Sequence, residues 1–347
     1  MDRSYEIGRA TSCRVVVEIG AETQLPELVG RLDPDGVVVV HDAALGALAR
    51  RIATDLGARA TVPVTIAAST KTLDAASRLA AKLHELDATR ATVVLAVGGG
   101  TLTDLCGFVA SIYLRGVPFV ACPTTTLAMC DAALGGKNGV DHLGLKNRLG
   151  TIRQPELVLA DVEWLQDLPD ALFREGLVEV VKKACVLDAS RFRELEELAP
   201  ALLARDEQAT AEAVGMAVEM KMAVVLADER EADRRRALNF GHTIGHALES
   251  LAAGAMRHGH AVAVGMAAEC RAGGTPAAVT KRVVGLLHAI GAHTEVPREL
   301  ADADRLWAAA RRDKKAMRGS VPMYVPSAIG EGRLVELTLT SLERALA

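Results

Sequence analysis

The segment that most restricts the fold is Val93-Val94-Leu95-Ala96-Val97, which runs unbroken into Gly98-Gly99-Gly100 and then Thr101-Leu102-Thr103-Asp104, ahead of a helix-like stretch over 105–111. A short apolar run closed by glycines and followed by helical spacing predicts a buried strand, a tight turn and a helix start. Such a turn is a phosphate cradle, because glycines let backbone N–H groups approach a pyrophosphate and the helix N-terminus adds partial positive charge. The triplet is not Gly-x-Gly-x-x-Gly, and a purely structural turn would read the same way. An earlier strand, over 37–40, ends in His41-Asp42. An acid after a strand of such a sheet accepts ribose hydroxyls; a solvated loop aspartate is the alternative.

The first third alternates β-branched runs with helical stretches, over 14–18, 36–40, 45–56, 62–66, 72–86 and 91–97. That alternation predicts parallel strands with crossover helices, an α/β doubly wound layer. After 117–121 and Pro123 the strand-like runs thin out. From about 169 to 290 the spacing is helical, over 172–187, 191–203, 207–227, 243–251, 261–272 and 280–290, which predicts a second, all-α domain. Glycine, basic and proline residues over 144–166 interrupt the periodicity, so the expected domains are 1–166 and 167–347. Runs at 321–325 and 334–339 predict a hairpin or edge ribbon.

Aromatics are only 3% of the 347 residues, so Ala, Val and Leu must supply most of the packing. A net charge of −4 argues against a whole-surface nucleic-acid or membrane binder, and any cationic site has to be local. No apolar run reaches the ~18 residues of a membrane span, and Met1-Asp2-Arg3-Ser4-Tyr5-Glu6 lacks the order of a signal peptide, so a cytoplasmic protein is expected. Six cysteines are spread without a Cys-x-x-Cys pair and read as small buried hydrophobes; a reactive thiol at Cys130, beside Asp131, is the alternative.

Four of the nine histidines, His242, His246, His258 and His260, fall within nineteen residues. His242 and His246 share one helix face if Gly241 starts the helix. Two neutral imidazoles with a carboxylate and an open position are what a catalytic Zn2+ needs. Cations recur in apolar or glycine-rich segments: Arg115, Lys137, Lys146, Lys182, Lys183, Lys221, Arg235, Lys314 and Lys315. Burying a cation without an anionic partner is costly, so several converging would imply a multiply anionic substrate; scattered surface charge is the plainer reading of any one of them.

Taken together these residues resemble the sugar phosphate cyclases, and among them the 3-dehydroquinate synthase family, from residue 97 to about 330, roughly two thirds of the chain. The motifs are Gly98-Gly99-Gly100 with Asp104, Arg115-Gly116, Pro123-Thr124-Thr125, Asp131, Gly135-Gly136-Lys137, Lys146-Asn147, Glu179-Val180-Val181-Lys182, Lys221, Arg235, Asn239 through His246, His258-Gly259 and Arg312-Asp313-Lys314-Lys315. The resemblance implies an NAD-binding α/β domain, a helical metal domain and an active site in the cleft between them. It implies Lys71, Gly98, Gly99, Gly100, Asp104, Thr124 and Thr125 for NAD, to which the strand-end reading adds Asp42, and Glu179, His242 and His258 for Zn2+, with Co2+ possible since both take such ligands. His246 is thereby moved from metal ligation to substrate contact or proton handling. Asp131, Lys137, Lys182, Lys221, Arg235, Asn239 and His246 match catalytic positions. Lys146, Asn147 and one of Lys314 or Lys315 match substrate-binding ones, and Arg115 reaches a neighbouring subunit's site, which implies a homodimer.

The implied reaction closes 3-deoxy-D-arabino-heptulosonate 7-phosphate to a carbocycle. A hydroxyl is oxidised by NAD+, the ketone acidifies the adjacent carbon, phosphate is eliminated, the ketone is reduced again, and ring opening precedes an intramolecular aldol. NAD returns to its starting state, so the net reaction is that of a lyase of the shikimate pathway. The chain departs from the family where Ala67-Ala68-Ser69-Thr70 precedes Lys71 without the usual Gly-Glu, where Asn138 and Asp141 follow Lys137, and where His260 replaces the glutamate of His-Gly-Glu. An acid beside a phosphate-binding lysine is expected to weaken anion binding unless it points away. A specialised cyclase of secondary metabolism is the alternative: of aminodehydroquinate, 2-epi-5-epi-valiolone or 2-deoxy-scyllo-inosose synthase type. A metal-dependent polyol or alcohol dehydrogenase is another.

Overall fold

The computed structural model describes residues 1–7, 11–67, 70–143, 145–228, 234–313 and 320–346. It divides into two compact units, Met1–Leu168 and Pro169–Ala347.

The first unit is built on β1 (Asp2–Ile7), β2 (Thr11–Glu18), β3 (Gly36–Asp42), β4 (Ala60–Val64), β5 (Thr92–Gly98), β6 (Phe119–Pro123), β7 (Lys137–His142), β8 (Leu145–Ile152) and β9 (Leu157–Asp161). Its helices are α1 (Leu25–Gly30), α2 (Gly46–Asp55), α3 (Leu73–Glu85) and α4 (Gly100–Ile112). Seven strands form one sheet in the order β1-β2-β9-β6-β5-β3-β4, parallel throughout except for β1, which pairs antiparallel with β2. The doubly wound layer is therefore present. Val37, Val39, Val93, Leu95 and Val97 pack with Leu25, Leu28, Val29, Ala49 and Ile52 of α1 and α2, while α4 packs against β3, β5 and β6. A sheet covered on both faces explains why these strands read as continuous Val/Leu runs.

The chain leaves β3 for β4 on one side, then returns to place β5 on the other side of β3 and continues outward to β6. The strand order thus reverses between β3 and β5, and the crevice beyond their carboxyl ends is where open α/β sheets bind ligands. Asp42 ends β3, and Gly98 ends β5.

One sheet strand lies where the sequence predicted an interruption. β9 falls inside the expected border segment, yet it is fully buried between β2 and β6. Just before it, β7 and β8 form a separate antiparallel hairpin.

The second unit holds α5 (Asp170–Leu187), α6 (Ala189–Leu203), α7 (Glu207–Ala227), α8 (His242–Leu251), α9 (His258–Ala272), α10 (Ala277–Ala289), α11 (Ala303–Asp313) and α12 (Leu339–Leu346). The ribbon predicted near the end is β10 (Val321–Ala328) against β11 (Glu331–Leu337), antiparallel, with a register shift between Pro326 and Ala328. Its Val321, Met323, Val325 and Leu337 join one core with Ile244, Leu248, Val264 and Ala268 of α8 and α9.

The crossing of α8 over α9 is set by missing side chains. A Cβ on Gly265 would stand 2.1 Å from the Gly241 carbonyl oxygen, and one on Gly245 2.9 Å from that of Ala261. Because the obstacles are backbone atoms, the two helices approach this closely only with glycine at the contact. All six cysteines are buried and unpaired in disulfides, as the sequence led one to expect. Burial pushes the thiols of Cys13 and Cys270 up to about 12 and that of Cys185 well above its usual value.

Candidate metal centre and dinucleotide turn

Glu179 lies in the middle of α5, fully buried, and its two carboxylate oxygens face different partners. Oε2 pairs with the ammonium of Lys182, one helical turn on, and lies 3.5 Å from that of Lys183. Oε1 faces His242 Nε2 at 3.6 Å and His258 Nε2 at 3.7 Å and has no hydrogen-bond partner. A buried oxygen without a partner is costly unless something else occupies its lone pairs.

Ligand bonds of about 2.0–2.1 Å in a tetrahedron put neighbouring donor atoms ~3.4 Å apart, close to the separations seen here. The donor set of one carboxylate and two imidazoles therefore fits a single divalent cation. Ligating atoms of Glu179, His242 and His258 all lie within 4.8 Å of one another, and so do those of His246, Glu249 and His258.

The outward ring nitrogens fix the inward ones. His242 Nδ1 lies 3.1 Å from the Phe240 carbonyl, which can only accept, so Nδ1 carries the proton and Nε2 presents a lone pair toward Glu179. His258 Nδ1 lies 3.3 Å from Glu249 Oε2, the carboxylate–histidine arrangement that orients metal-bound imidazoles. Burial and the neighbouring Lys182 charge hold His242 well below the usual imidazole range, so it is neutral at pH 7. Burial also opposes charging of His258, but Glu179 and Glu249 outweigh it and push the imidazole up to about 9. Ligation of a cation through Nε2 would require that nitrogen to be deprotonated.

His246, one turn beyond His242 on α8, sets its ring 5.1 Å from that of His242 and 5.9 Å from that of His258. Arg235 and Asn239 lie in the 3-10 turn Arg234–Asn239, which leads to α8 and packs against α5 and α7; Lys221 lies on α7. Lys182, Lys221 and Arg235 are all buried. Lys314 and Lys315 lie outside the described residues.

In the first unit, Gly98 closes β5, Gly99 precedes α4 and Gly100 opens it. A Cβ on Gly100 would stand 2.8 Å from that of Ala132, so the structural reading of the triplet holds at this position whether or not a phosphate is cradled. Thr124 and Thr125 follow β6, where the Thr124 N–H donates to the Gly98 carbonyl at 3.0 Å. Asp131 sits in the π-helical turn Ala128–Ala132 beyond them. At the end of β3, Asp42 Oδ1 accepts the Ala44 N–H at 3.0 Å and so closes its own loop.

The Lys71 ammonium bonds both Asp104 of α4 and Asn147 of the β7–β8 hairpin, which joins two residues expected to hold cofactor with one expected to hold substrate. Asp141 Oδ1 accepts the Asn147 N–H at 2.7 Å, so this acid is turned onto backbone. Asn138 likewise spends its amide on the carbonyls of Gly136 and Arg153, at 3.0 and 2.9 Å. Lys137, Lys146 and Arg115 are exposed. The last sits at φ 68° beside Leu114 at φ 49°, two successive left-handed non-glycine residues. Ala68 and Ser69, part of the atypical segment before Lys71, lie outside the described residues. His260 stacks edge-on with His293 at 6.0 Å.

Sequence reasoning missed Glu249 and Glu269. The first lies three residues after His246 and seven after His242, a helical spacing that was available as a signal. The second lies eleven residues after His258, three turns along the same helix, and nothing in the sequence ties it to α8.

Residues 61–175 match the family model for the 3-dehydroquinate synthase N-terminal domain, and residues 176–316 match that for the C-terminal domain. A relative described as 3-dehydroquinate synthase, from Saccharolobus solfataricus, is 35% identical over 337 residues, 95% of this chain and 94% of its own. A crystal structure of 2-deoxy-scyllo-inosose synthase with carbaglucose-6-phosphate, NAD+ and Co2+ superposes with a TM-score of 0.89 at 23% identity, over 100% of this chain and 99% of that one. ValA, the 2-epi-5-epi-valiolone synthase of Streptomyces hygroscopicus subsp. jinggangensis 5008 with NAD+ and Zn2+, gives 0.86 at 28% identity, over 99% and 98%.

Proposed function

The chain belongs to the 3-dehydroquinate synthase family, and from that premise we propose that it is a phosphate-eliminating lyase that closes a 3-deoxy-heptulosonate 7-phosphate to a carbocycle, using NAD and Zn2+ or Co2+. The observation that carries this reading is the orphaned Glu179 oxygen facing two imidazole nitrogens. When bound, the cation supplies Lewis acidity toward a substrate hydroxyl and NAD supplies reversible hydride acceptance.

The chain's own residues do the rest. Lys137, Lys146 and Asn147, with Lys314 or Lys315, hold the phosphate and stabilise its departure. Arg235, at 2% exposure, and Lys221, at 6%, offer desolvated cations to a carboxylate, where a planar guanidinium binds in a two-point grip. Asn239 and Asp131 orient hydroxyls. His246 stays outside the Glu179 group and is left to move the proton. The glycine turn, Thr124, Thr125, Asp42, Lys71 and Asp104 hold the dinucleotide, a role supported by the strand-order reversal between β3, which Asp42 ends, and β5, which Gly98 ends.

A homodimer is part of the proposal. It is supported by exposed apolar residues, Leu143 and Leu145 at the tip of the hairpin, Ile152 at its far end, and Ile112 at the end of α4, just before the strained Leu114–Arg115 backbone. The likeness to ValA supports a second reading, a specialised cyclase acting on a sugar phosphate without a carboxylate.

Phosphate release from heptulosonate 7-phosphate, its amino analogue, sedoheptulose 7-phosphate and glucose 6-phosphate decides between them. A cyclase releases phosphate with no lasting NADH absorbance, whereas a dehydrogenase accumulates NADH with product. Arg235→Ala is expected to reduce kcat/KM at least 100-fold on a carboxylated substrate and far less on a neutral sugar phosphate, by the ~3 kcal/mol of a charged hydrogen-bond pair. Equal losses on both would remove Arg235 from carboxylate binding.

A further inference from the structure

Helix α8 begins at His242, and its N-cap residue is Gly241, at φ 79°, with no side chain to cap anything. A cap residue larger than glycine is blocked, since a Cβ there would stand 2.9 Å from the Val262 carbonyl oxygen. The third helical residue, Ile244, has no polar group either. A capping box normally satisfies the N–H groups of the N-cap and third residues by side chains of those same two residues. In this helix neither can do so.

Both donors are nonetheless satisfied, from another helix. Glu269 of α9, fully buried, accepts the Gly241 N–H on Oε2 at 2.7 Å and the Ile244 N–H on Oε1 at 2.8 Å. One carboxylate thus spans the first turn of α8 on either side of His242. Glu269 is carried by α9, whose first residue is His258. The acid therefore links the start of the helix presenting one imidazole to the body of the helix presenting the other.

We propose that Glu269 is a positioning residue for the cation site: it fixes the rotation and axial placement of α8, so that His242 Nε2 and His258 Nε2 both lie opposite Glu179 Oε1. Loss of either bond leaves a buried N–H unsatisfied at the turn that carries His242. The turn then relaxes, and the imidazole separation that suits one small ion is lost. This inference rests on the metal site proposed above, at Glu179, His242 and His258.

The test measures Zn2+ affinity by competition with a chromophoric chelator and the visible spectrum of the Co2+-loaded protein. It uses wild type, Glu179→Gln, Glu269→Gln, Glu269→Ala and Leu195→Ala; Leu195, buried in α6, serves as a stability control. Glu269→Gln keeps one acceptor oxygen and is expected to weaken Zn2+ roughly 10-fold, and Glu269→Ala between about 10- and 100-fold, with altered Co2+ band intensities in both. Leu195→Ala is expected to lower Tm without changing either readout. Wild-type affinity and spectrum in both Glu269 variants would overturn the inference and leave the site standing. Wild type binding no more tightly than Glu179→Gln would overturn the site and the inference together. Should Glu269→Ala fail to fold, Glu269→Gln carries the decision alone.

Discussion

Glu175 lies one turn before Glu179 on α5, buried, with Oε1 lacking a hydrogen-bond partner and the Arg257 Nε 3.9 Å away. Burial raises its carboxyl above the usual value of 4.5, and the Arg257 charge offsets only part of that. The folded chain therefore holds this proton at pH values where the unfolded chain has released it, and stability falls as pH rises from the ordinary glutamate value through the raised one. Glu175→Gln removes the titration, so the decline in stability as pH rises above the ordinary glutamate value, followed by urea unfolding, is expected to shrink. An unchanged pH slope would mean that the charge is compensated in the native protein. Single residues of this kind were only partly legible in the sequence. The histidine cluster stood out because of its density, whereas Glu179 in Gly-Leu-Val-Glu-Val-Val-Lys-Lys was identified by family resemblance alone, and Glu269 could not be read at all because its partners belong to a different helix.

Elements were legible in proportion to how far their pattern was local. The Val-rich runs of β3 and β5 and the long helices of the second unit carry their own periodicity. β9 does not, because five apolar-rich residues suit a buried strand or a helical turn equally, and its neighbours β2 and β6 are distant in sequence. The β7–β8 hairpin was hidden by polar residues on exposed faces, with no alternation to report it. Between elements, the α8–α9 crossing makes a sharp demand. Gly265→Ala would place its Cβ against the Gly241 carbonyl and 2.8 Å from the Gly245 nitrogen, neither of which can swing aside. A loss of about 2–3 kcal/mol, from overpacking, is expected in chemical denaturation, together with weaker Zn2+ binding as α8 and α9 separate. Gly285→Ala on α10 meets nothing within 4 Å and serves as the harmless comparison. Equal behaviour of the two variants would mean that the contact can relax.

At the scale of the molecule, the exposed apolar residues of the hairpin give the proposed homodimer its test. Ile152→Asp is expected to shift the mass in light scattering from dimer to monomer, and a retained dimer would place the contact elsewhere. None of the described helices is long and apolar enough to cross a membrane. The buried thiols make the native protein a clock for its own opening. An alkylating reagent needs a solvated thiolate, and each of the six sulfurs is kept both inaccessible and, where burial acts as at Cys13, Cys185 and Cys270, protonated. Modification is expected to wait on excursions that expose the sulfur. Mass-resolved labelling of Cys13, Cys106, Cys122 and Cys130 against Cys185 and Cys270 would then time those excursions separately for each half of the chain.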